Sequence, residues 1–211
     1  LLLALGLDQE IFLSFLPLSH SYEYTAGLMF PLSIKAQIYY AEGADKLAAN
    51  MVEVRPTIMT AVPRLYETMH SRILRGIQQK GGLSEKLFMK TVSIGRKKYQ
   101  GHSTTLVEAV LDPLLTKLVR RKVAARFGGR LKAMVSGGAP LNFEIGTFFK
   151  ALGVELLQGY GQTEAAPIIS CNLPAKNKIN SVGPPLVGVD VKIAEDGEIL
   201  VKGELVMQGY W

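Results

Sequence analysis

The chain has 211 residues, of which 48% are hydrophobic, and its formal net charge is +6. That length and apolar content provide material for a large core, arranged as one domain or as two sub-domains. No apolar run predicts a membrane span, because Leu1–Leu7 is too short and Tyr24–Ile34 is interrupted by Pro31. The single cysteine, Cys171, excludes an internal disulfide and suits a reducing cytoplasm, and no zinc-ligand spacing is present.

Strand-like and helix-like segments alternate along most of the chain. The predicted elements are, in chain order, a strand over Ile11–Leu16, a helix over Tyr22–Leu32, a strand over Ala36–Tyr40, a helix over Ala44–Val54, a strand over Thr57–Val62, a helix from Pro63 to about Gln79, a helical insert over Ser84–Phe127, a strand over Leu131–Ser136, a helix over Asn142–Leu152 and a strand over Val154–Gln158. This alternation predicts an α/β fold with a mostly parallel sheet flanked by helices.

The two ends of the chain depart from this alternation. Leu1–Leu5 is typical of part of a helix, and after Cys171 the sequence becomes rich in Pro, Gly, Asn and Lys. From Val187 onward the pattern predicts short antiparallel strands, with Asp196-Gly197 as a hairpin turn. The predicted units are an α/β sub-domain over residues 1–180, a helical basic insert within it at about 80–127, and the start of a β sub-domain over residues 181–211.

Glycine-rich segments follow two of the predicted strands. Leu131–Ser136 runs into Gly137-Gly138-Ala139-Pro140, and Val154–Gln158 runs into Gly159-Tyr160-Gly161-Gln162-Thr163-Glu164. Right-handed crossover connections place such strand ends side by side, and ligands bind at that edge of an α/β sheet. The pattern predicts a crevice between close-approaching backbone and Tyr160, a shape that suits a flat aromatic base. A tight turn that carries surface polar residues is the alternative interpretation.

Five ordered blocks of the sequence resemble the adenylate-forming superfamily of acyl-CoA synthetases, luciferases and nonribosomal adenylation domains. The blocks are Phe15–His20, Ser136–Leu141, Tyr160–Glu164, Ser181–Pro185, and Gly197–Gly203 continued by Val206–Trp211. Ala61–Glu67 and the helical insert after it resemble the long-chain fatty-acid branch. Complete members also carry a phosphate-binding loop, a ribose-binding block and a C-terminal domain with a catalytic lysine. The resemblance therefore implies a middle piece of a large N-terminal domain, inactive by itself.

The resemblance implies a two-step reaction. ATP and a long-chain fatty acid give an acyl-adenylate and pyrophosphate, and coenzyme A then takes the acyl group. Glu164 is implied as the Mg²⁺ ligand, Thr163 as a partner of the α-phosphate, and Tyr160 as the ring that stacks on adenine. The other residues implied in nucleotide binding are Gly137, Gly138, Ala139, Pro140, Gln158, Gly159 and Gly161, with the Gln158 amide reading the adenine amino group.

Two further residues are implied on the acyl side of the site. His20 is implied near the acyl carboxylate together with Gly161, and a surface or capping histidine is the alternative. Tyr24 lies where some family members place an aromatic gate over the fatty-acid tunnel, with tyrosine here in place of their tryptophan. Two other functions stay open: an adenylate-forming ligase for aryl or amino acids, and a non-catalytic nucleotide-binding scaffold.

The positive charge is concentrated in the helical insert. Between Lys80 and Arg126 there are 11 Lys or Arg and 3 Asp or Glu, with clusters at Arg96-Lys97-Lys98 and Arg120-Arg121-Lys122. The apolar residues Leu106, Val110, Leu114 and Leu118 recur at helical spacing and predict an amphipathic helix with a basic face. This face is either solvated or in contact with anionic membrane lipid or with coenzyme A phosphates. No nucleic-acid-binding motif accompanies it. The expected location is the cytoplasm, with peripheral contact at the inner face of a membrane.

Overall fold

A computed structural model describes residue 6 and residues 8–211 of the chain. The helix expected at Leu1–Leu5 therefore lies outside the described residues. The strands of the main sheet are β1 Ile11–Ser14, β2 Gln37–Tyr40, β3 Ile58–Ala61, β4 Ala133–Ser136, β5 Leu156–Tyr160 and β6 Ser170–Cys171. They lie in the spatial order β2-β1-β3-β4-β5-β6, and every pair is parallel except the antiparallel pair of β5 with β6. The predicted mostly parallel α/β sheet is confirmed.

The central strands are buried because helices cover the sheet. All four residues of β3 and all four of β4 are buried, which explains why both occur as near-continuous apolar runs without alternation. The register places Ser136 at the end of β4 opposite Gln158 in β5. β5 continues two residues beyond the predicted strand, through Tyr160, because its last two residues pair with β6. The two-residue strand β6 was not predicted.

Helices cover the sheet and form the insert. The α-helices are α1 Ser21–Glu23, α2 Phe30–Ser33, α3 Leu47–Val54, α4 Pro63–Lys80, α5 Gly82–Tyr99, α6 Leu106–Leu115, α7 Arg121–Arg126 and α8 Phe143–Ala151. Each predicted helical segment overlaps at least one of them. A π-helical stretch, Tyr24–Met29, separates α1 from α2, and a second, Thr116–Arg120, joins α6 to α7. In the described part of the chain, no helix combines the length and the apolar character that a membrane crossing requires.

The main hydrophobic core lies between the sheet and helices α4, α5 and α8. Tyr66, Phe148 and Phe149 are fully buried there, and their rings make edge contacts with one another. Helices α5 and α8 approach closely because Gly95 faces Ala151, where an added Cβ would lie 2.4 Å from the alanine. This close packing anchors the insert to the helix that connects β4 with β5.

Ion pairs hold the basic insert together. The pairs formed by its two cation clusters are Arg96 with Glu144, Lys97 with Glu108, Lys98 with Asp112 and Arg120 with Asp112. Arg120 also donates a hydrogen bond of 2.8 Å to the Ala151 carbonyl. Four of the six cations in these clusters therefore join helices, so the clusters do not form one open basic surface. The other two cluster cations, Arg121 and Lys122, are exposed and form no ion pair among the described residues.

The last strands, β7 Asp190–Ile193 and β8 Ile199–Lys202, form the antiparallel hairpin that was predicted from Val187 onward. Gly197 has φ of 90° in its turn, a left-handed conformation that favours glycine. Asp196 Oδ1 accepts the Glu198 N–H in the same turn. The predicted hairpin turn is confirmed, and the sub-domain boundary near residue 180 stays a prediction.

Candidate functional site

A cavity of about 840 Å³ lies at the carboxyl ends of β4 and β5, beside α1. The predicted site residues that line it are His20, Gly137, Gly138, Gly159, Tyr160, Gly161 and Thr163. Ala139, Pro140 and Glu164 follow directly on these residues and are exposed. The structure thus brings the two glycine-rich segments and His20 to one opening, as right-handed crossovers require.

Two glycines of this edge exclude a side chain for different reasons. Gly138 has φ of 83°, which only glycine adopts at little cost. At Gly161 an added Cβ would lie 1.6 Å from the Pro167 carbonyl oxygen, so the exit of β5 is packed directly against the backbone of the following loop. The wall at Gly138 is therefore bare backbone, which lets a ligand approach closely, whereas at Gly161 the following loop already fills the space of a side chain.

Thr163 and Glu164 begin a short 3₁₀ turn after β5. The Thr163 Oγ1 atom lies 3.0 Å from the Ser21 Oγ atom, so two hydroxyl groups meet at the opening. The exposed Glu164 carboxylate accepts a hydrogen bond of 2.7 Å from the Tyr210 hydroxyl. That bond lowers the pKa of Glu164 and favours its charged form. The turn therefore presents a hydroxyl group and a negative charge side by side.

The donor set at this edge suits Mg²⁺ in one binding mode. Mg²⁺ is usually held by one or two carboxylates together with substrate phosphates and water. Glu164 provides one such carboxylate at the rim, and Glu204, which was not predicted at the site, lines the cavity. No group of three or more His, Cys, Asp or Glu side chains converges anywhere in the described residues. The residues present thus fit a metal that arrives with a phosphate ligand, and not a metal held by protein atoms alone.

His20 has a structural role that its predicted site role does not exclude. It is the N-cap of α1, and its Nδ1 atom accepts the Tyr22 N–H at 3.1 Å. The imidazole is exposed and lines the cavity, so its other nitrogen remains available to a ligand. The alternative interpretation as a capping histidine is therefore confirmed in geometry, and a role toward the acyl carboxylate stays a prediction.

Tyr24, the residue suggested as a gate, lies outside the cavity lining, whereas Tyr22 lies within it. Tyr24 is 46% exposed and lies outside the cavity lining, because it begins the π-helical stretch on its outer side. Tyr22 is buried, lines the cavity and donates a hydrogen bond of 3.0 Å from its hydroxyl to the Val135 carbonyl. Tyr22 is therefore one of the aromatic side chains of the cavity wall, and a gating role for Tyr24 has no support in its position.

Gln158 does not have the free amide expected of an adenine-reading residue. Its Oε1 atom accepts the Leu141 N–H, and its Nε2 atom donates to the carbonyls of Ile179 and Ser181. Both amide hydrogens are thus used within the protein, and the side chain is buried outside the cavity lining. The structure corrects this expectation, because Gln158 fastens the loop after β4 and the segment at residues 179–181 to β5.

The same cavity also has an apolar part. Its lining from the helical side includes Tyr22, Ala26 and Phe30, and from the sheet side Phe12, Ile58 and Cys171. Burial raises the pKa of the Cys171 thiol to about 11, so the thiol behaves as a small neutral side chain. The four-residue spacing of Tyr22, Ala26 and Phe30, which places them on one helical face, is the signal that identifies the helical wall.

A buried carboxylate fixes the helical wall of the cavity to the sheet. Glu23 Oε1 accepts hydrogen bonds from the Ser14 hydroxyl at 2.6 Å and from the Phe15 N–H at 3.2 Å. Its Oε2 atom accepts the Thr60 hydroxyl at 2.6 Å. Gly27 leaves the space for this carboxylate, since an added Cβ there would lie 2.4 Å from Oε1. No sequence motif indicated this role for Glu23, because a single acid in a helix is usually solvated.

Comparison with known proteins identifies relatives along nearly the whole chain. Residues 3–211 match the protein family described as AMP-binding enzyme. The chain is 30% identical to the peroxisomal long chain acyl-CoA synthetase 6 of Arabidopsis thaliana, over 97% of this chain and 30% of that protein. It is 31% identical to the long-chain-fatty-acid–CoA ligase FadD15 of Mycobacterium bovis, over 96% of this chain and 34% of that protein. The chain thus spans about a third of the length of these curated relatives.

Solved structures of similar fold include two CoA ligases. A benzoate CoA ligase from Burkholderia xenovorans LB400 superposes with a TM-score of 0.64 at 26% identity, over 98% of this chain and 36% of that chain. The anthranilate CoA ligase AuaEII, solved in complex with anthranoyl-AMP, superposes with a TM-score of 0.63 at 18% identity, over 97% and 33%. The second likeness concerns the fold alone.

Proposed function

Because this chain belongs to the AMP-binding enzyme family, we propose that the whole protein is an ATP-dependent long-chain fatty-acid–CoA ligase. ATP and the fatty acid form an acyl-adenylate with release of pyrophosphate, and the coenzyme A thiol then takes the acyl group with release of AMP. One observation carries the proposal: a single cavity combines a glycine-walled polar opening with an apolar part. Such a cavity accommodates a nucleotide and an alkyl chain end to end. The chain alone, a third of its relatives' length, is proposed to be inactive.

The nucleotide belongs at the polar opening in this proposal. The Tyr160 ring provides a stacking surface, and the backbone of Gly137 and Gly138, continued by Ala139-Pro140, provides the opposite wall. The Thr163 hydroxyl bonds the α-phosphate, with Ser21 holding that hydroxyl in place. Glu164 would hold Mg²⁺, and the ion would supply positive charge to the phosphoryl oxygens and to the leaving pyrophosphate.

The fatty acid occupies the apolar part, with its carboxylate toward His20. Tyr22, Ala26 and Phe30 keep water from the alkyl chain, and burial of that chain gains about 0.8 kcal/mol per CH₂ group. In this proposal the His20 imidazole, which lines the cavity, donates to the carboxylate and orients the attacking oxygen toward the α-phosphate. We propose the cytoplasm as the compartment, because a reducing environment suits the free thiol of Cys171.

The proposal is tested by pyrophosphate exchange with the full-length protein and a panel of acids. We expect exchange with palmitate or myristate to exceed exchange with benzoate or amino acids. Glu164→Gln should lower exchange by about 100-fold or more at saturating Mg²⁺, because an amide does not replace the charge of a metal-binding carboxylate. Glu195→Gln, the same change at an exposed position of the β7–β8 turn, is the matched control.

Two results would contradict the proposal. Preference for benzoate over palmitate would assign the protein to the aryl-activating ligases, the second function that the sequence leaves open. Absence of exchange with every acid, together with retained ATP binding, would support a non-catalytic nucleotide-binding module.

A further inference from the structure

The segment that runs from α6 to α7, Leu106–Arg126, has an exposed apolar row. Leu106 is 88% exposed, Val107 is 67% exposed and Val110 is 78% exposed. Leu114 and Leu118 continue the row at 48% and 36%. Residues four apart lie on one side of a helix, so the row extends along one face. Contiguous exposed apolar side chains of this size mark an interaction surface.

Both acids of this segment point away from that face. Glu108 accepts hydrogen bonds from Lys90 at 2.8 Å and from Lys97 at 2.9 Å, and its side chain is 4% exposed. Asp112 lies 2.8 Å from Arg120, and its side chain is 15% exposed. The outward face of Leu106–Arg126 therefore carries no negative charge, although the segment contains two acids.

Four cations lie on the exposed side of the second half of the segment. They are Lys117, Arg121, Lys122 and Arg126. Within the described part of the chain, none of the four forms an ion pair. The segment is about 30 Å long at 1.5 Å per residue. The first half of the segment thus presents apolar side chains. The second half presents the four cations together with the apolar side chain of Leu118.

We propose that this face, the outward side of Leu106–Arg126, docks the protein on the surface of an anionic lipid bilayer. Apolar side chains enter the boundary between headgroups and acyl chains, while Lys and Arg meet the negative headgroups, as in interfacial amphipathic helices. The inward pairing of both acids is what makes the face complementary to a negative surface. The inference does not depend on the ligase reaction, since no residue of this face lines the cavity.

A lipid surface fits this face better than a protein does. Residues 106–126 contain no aromatic side chain, whereas the cores of protein interfaces are enriched in Tyr, Trp and Phe. A second copy of the chain would bring two sets of cations together, and like charges oppose that contact. A covering segment of the same protein would need acids opposite the four cations, and the experiment below distinguishes this case.

Vesicle co-sedimentation of the full-length protein tests the proposal, with vesicles of phosphatidylglycerol and phosphatidylcholine. Lys117→Gln with Arg121→Gln and Lys122→Gln should lower the partition coefficient about 100-fold at low salt, since each cation contributes about fivefold. Leu106→Ser with Val110→Ser should lower it about tenfold. Salt should mimic the first variant and not the second, because only the charge attraction is screened. Arg120 is left unchanged because it joins α6 to α8.

Matched controls carry the same changes elsewhere on the surface. Val52→Ser on α3 and Lys192→Gln on β7 replace exposed side chains outside the face and should leave partition unchanged. Pyrophosphate exchange measured without vesicles should be equal in all variants, so a failure of the docking inference is separable from a failure of the proposed reaction. Thermal unfolding confirms that each variant is folded.

Three results would overturn the inference. Equal partition of the wild type and both variants would show that the face is solvated and does not bind lipid. If vesicles of phosphatidylcholine alone bind the protein as strongly as those with phosphatidylglycerol, the cations do not contribute to docking. Low reactivity toward a thiol reagent of a cysteine introduced by Leu106→Cys or Val110→Cys, measured without lipid, or a change of oligomeric state in the variants, would show that the protein itself or a second copy covers the face.

Discussion

The sequence determines the position of the glycine-rich segments around the cavity more directly than it determines which side of the helical insert is buried. At the edge, each glycine-rich segment lies where its strand ends. Gly161 packs so closely against the Pro167 carbonyl that the path of the backbone is fixed there. In the insert, the row beginning at Leu106 and Val110 that predicted the helix lies outside, whereas Leu115 and Val119 of the same helical segment are buried. The sequence locates a glycine-rich segment because the strand before it ends at one residue. A helix with two apolar sides can bury either side, so its apolar pattern alone does not determine which side faces the core.

The orientation of the insert follows from its charges. Glu108 carries a charge that is costly to bury without partners, and α5 offers Lys90 and Lys97 at hydrogen-bonding distance. Packing that side inward satisfies the acid and buries Leu115 and Val119 with it. Polar partners on a neighbouring helix thus determine which of two apolar rows is buried in the core.

Among the changes that test this comparison, the largest effect is expected from a single methyl group at the edge. Gly161→Ala would place a Cβ 1.6 Å from the Pro167 carbonyl oxygen, so the loop after β5 must move. Displacement of Thr163 and Glu164 by about 1 Å is expected to lower pyrophosphate exchange about 100-fold in the full-length protein. The measurement is the exchange rate with palmitate at saturating ATP.

Gly76→Ala is the matched control for that change. Gly76 lies on the exposed side of α4 with nothing within 4 Å of an added Cβ. Alanine in a helix interior is favoured over glycine by about 1 kcal/mol, so the control should be equally active and slightly more stable. Equal activity of Gly161→Ala and Gly76→Ala would show that the edge is more adaptable than its contacts indicate.

The next effect tests the charge-determined orientation of the insert. Hydrogen bonds from Lys90 and Lys97 lower the pKa of Glu108 from 4.5 to about 2. A carboxyl group with a lower pKa in the folded state stabilises the fold above its unfolded pKa, and this contribution disappears as the pH falls toward about 2. Glu108→Gln should therefore lower the thermal midpoint at pH 7 and flatten its dependence on pH between about 5 and 2.

Thermal unfolding of the full-length protein across this pH range provides the measurement. Glutamine can still accept the Thr105 N–H of the capping box at the start of α6, so the comparison isolates the charge. Glu85→Gln, in α5, changes an acid of the same insert that forms no ion pair among the described residues and should behave as the wild type. Parallel curves for wild type and Glu108→Gln would mean that apolar packing alone orients α6.

The sequence predicted the fold and the position of the site better than it predicted individual side chains. The mostly parallel sheet, the helical segments and the meeting of His20 with the glycine-rich segments follow from local pattern and from the rules for parallel crossover connections. Gln158 could not be assigned correctly, because its partners at Ile179 and Ser181 are more than 20 residues away and are brought together only by packing. Long-range partners of this kind leave no mark in local sequence.

For a related reason, local sequence does not reveal which of Tyr22 and Tyr24 faces the cavity. Two aromatic residues two positions apart point to different sides of a helix, and the buried Glu23 between them sets which side faces the cavity. Glu23 is held by Ser14 of β1 and Thr60 of β3, contacts that no helical period reveals. The orientation of the cavity wall was therefore determined by the sheet, outside the helix itself.

The smallest effect separates the two roles of His20 at the edge. His20→Asn keeps a side-chain acceptor for the Tyr22 N–H, since asparagine is a preferred N-cap residue, and His20→Ala removes it. If the imidazole orients the fatty-acid carboxylate, both variants should lose about tenfold in kcat/KM for palmitate, the scale of a hydrogen bond to a charged group, with the KM for ATP unchanged. If His20 acts as a cap alone, His20→Asn should match the wild type and only His20→Ala should lose activity, through a displaced α1 and a lower thermal midpoint. A rise in the KM for ATP with unchanged use of palmitate would place His20 on the nucleotide side and reverse the proposed orientation of the cavity.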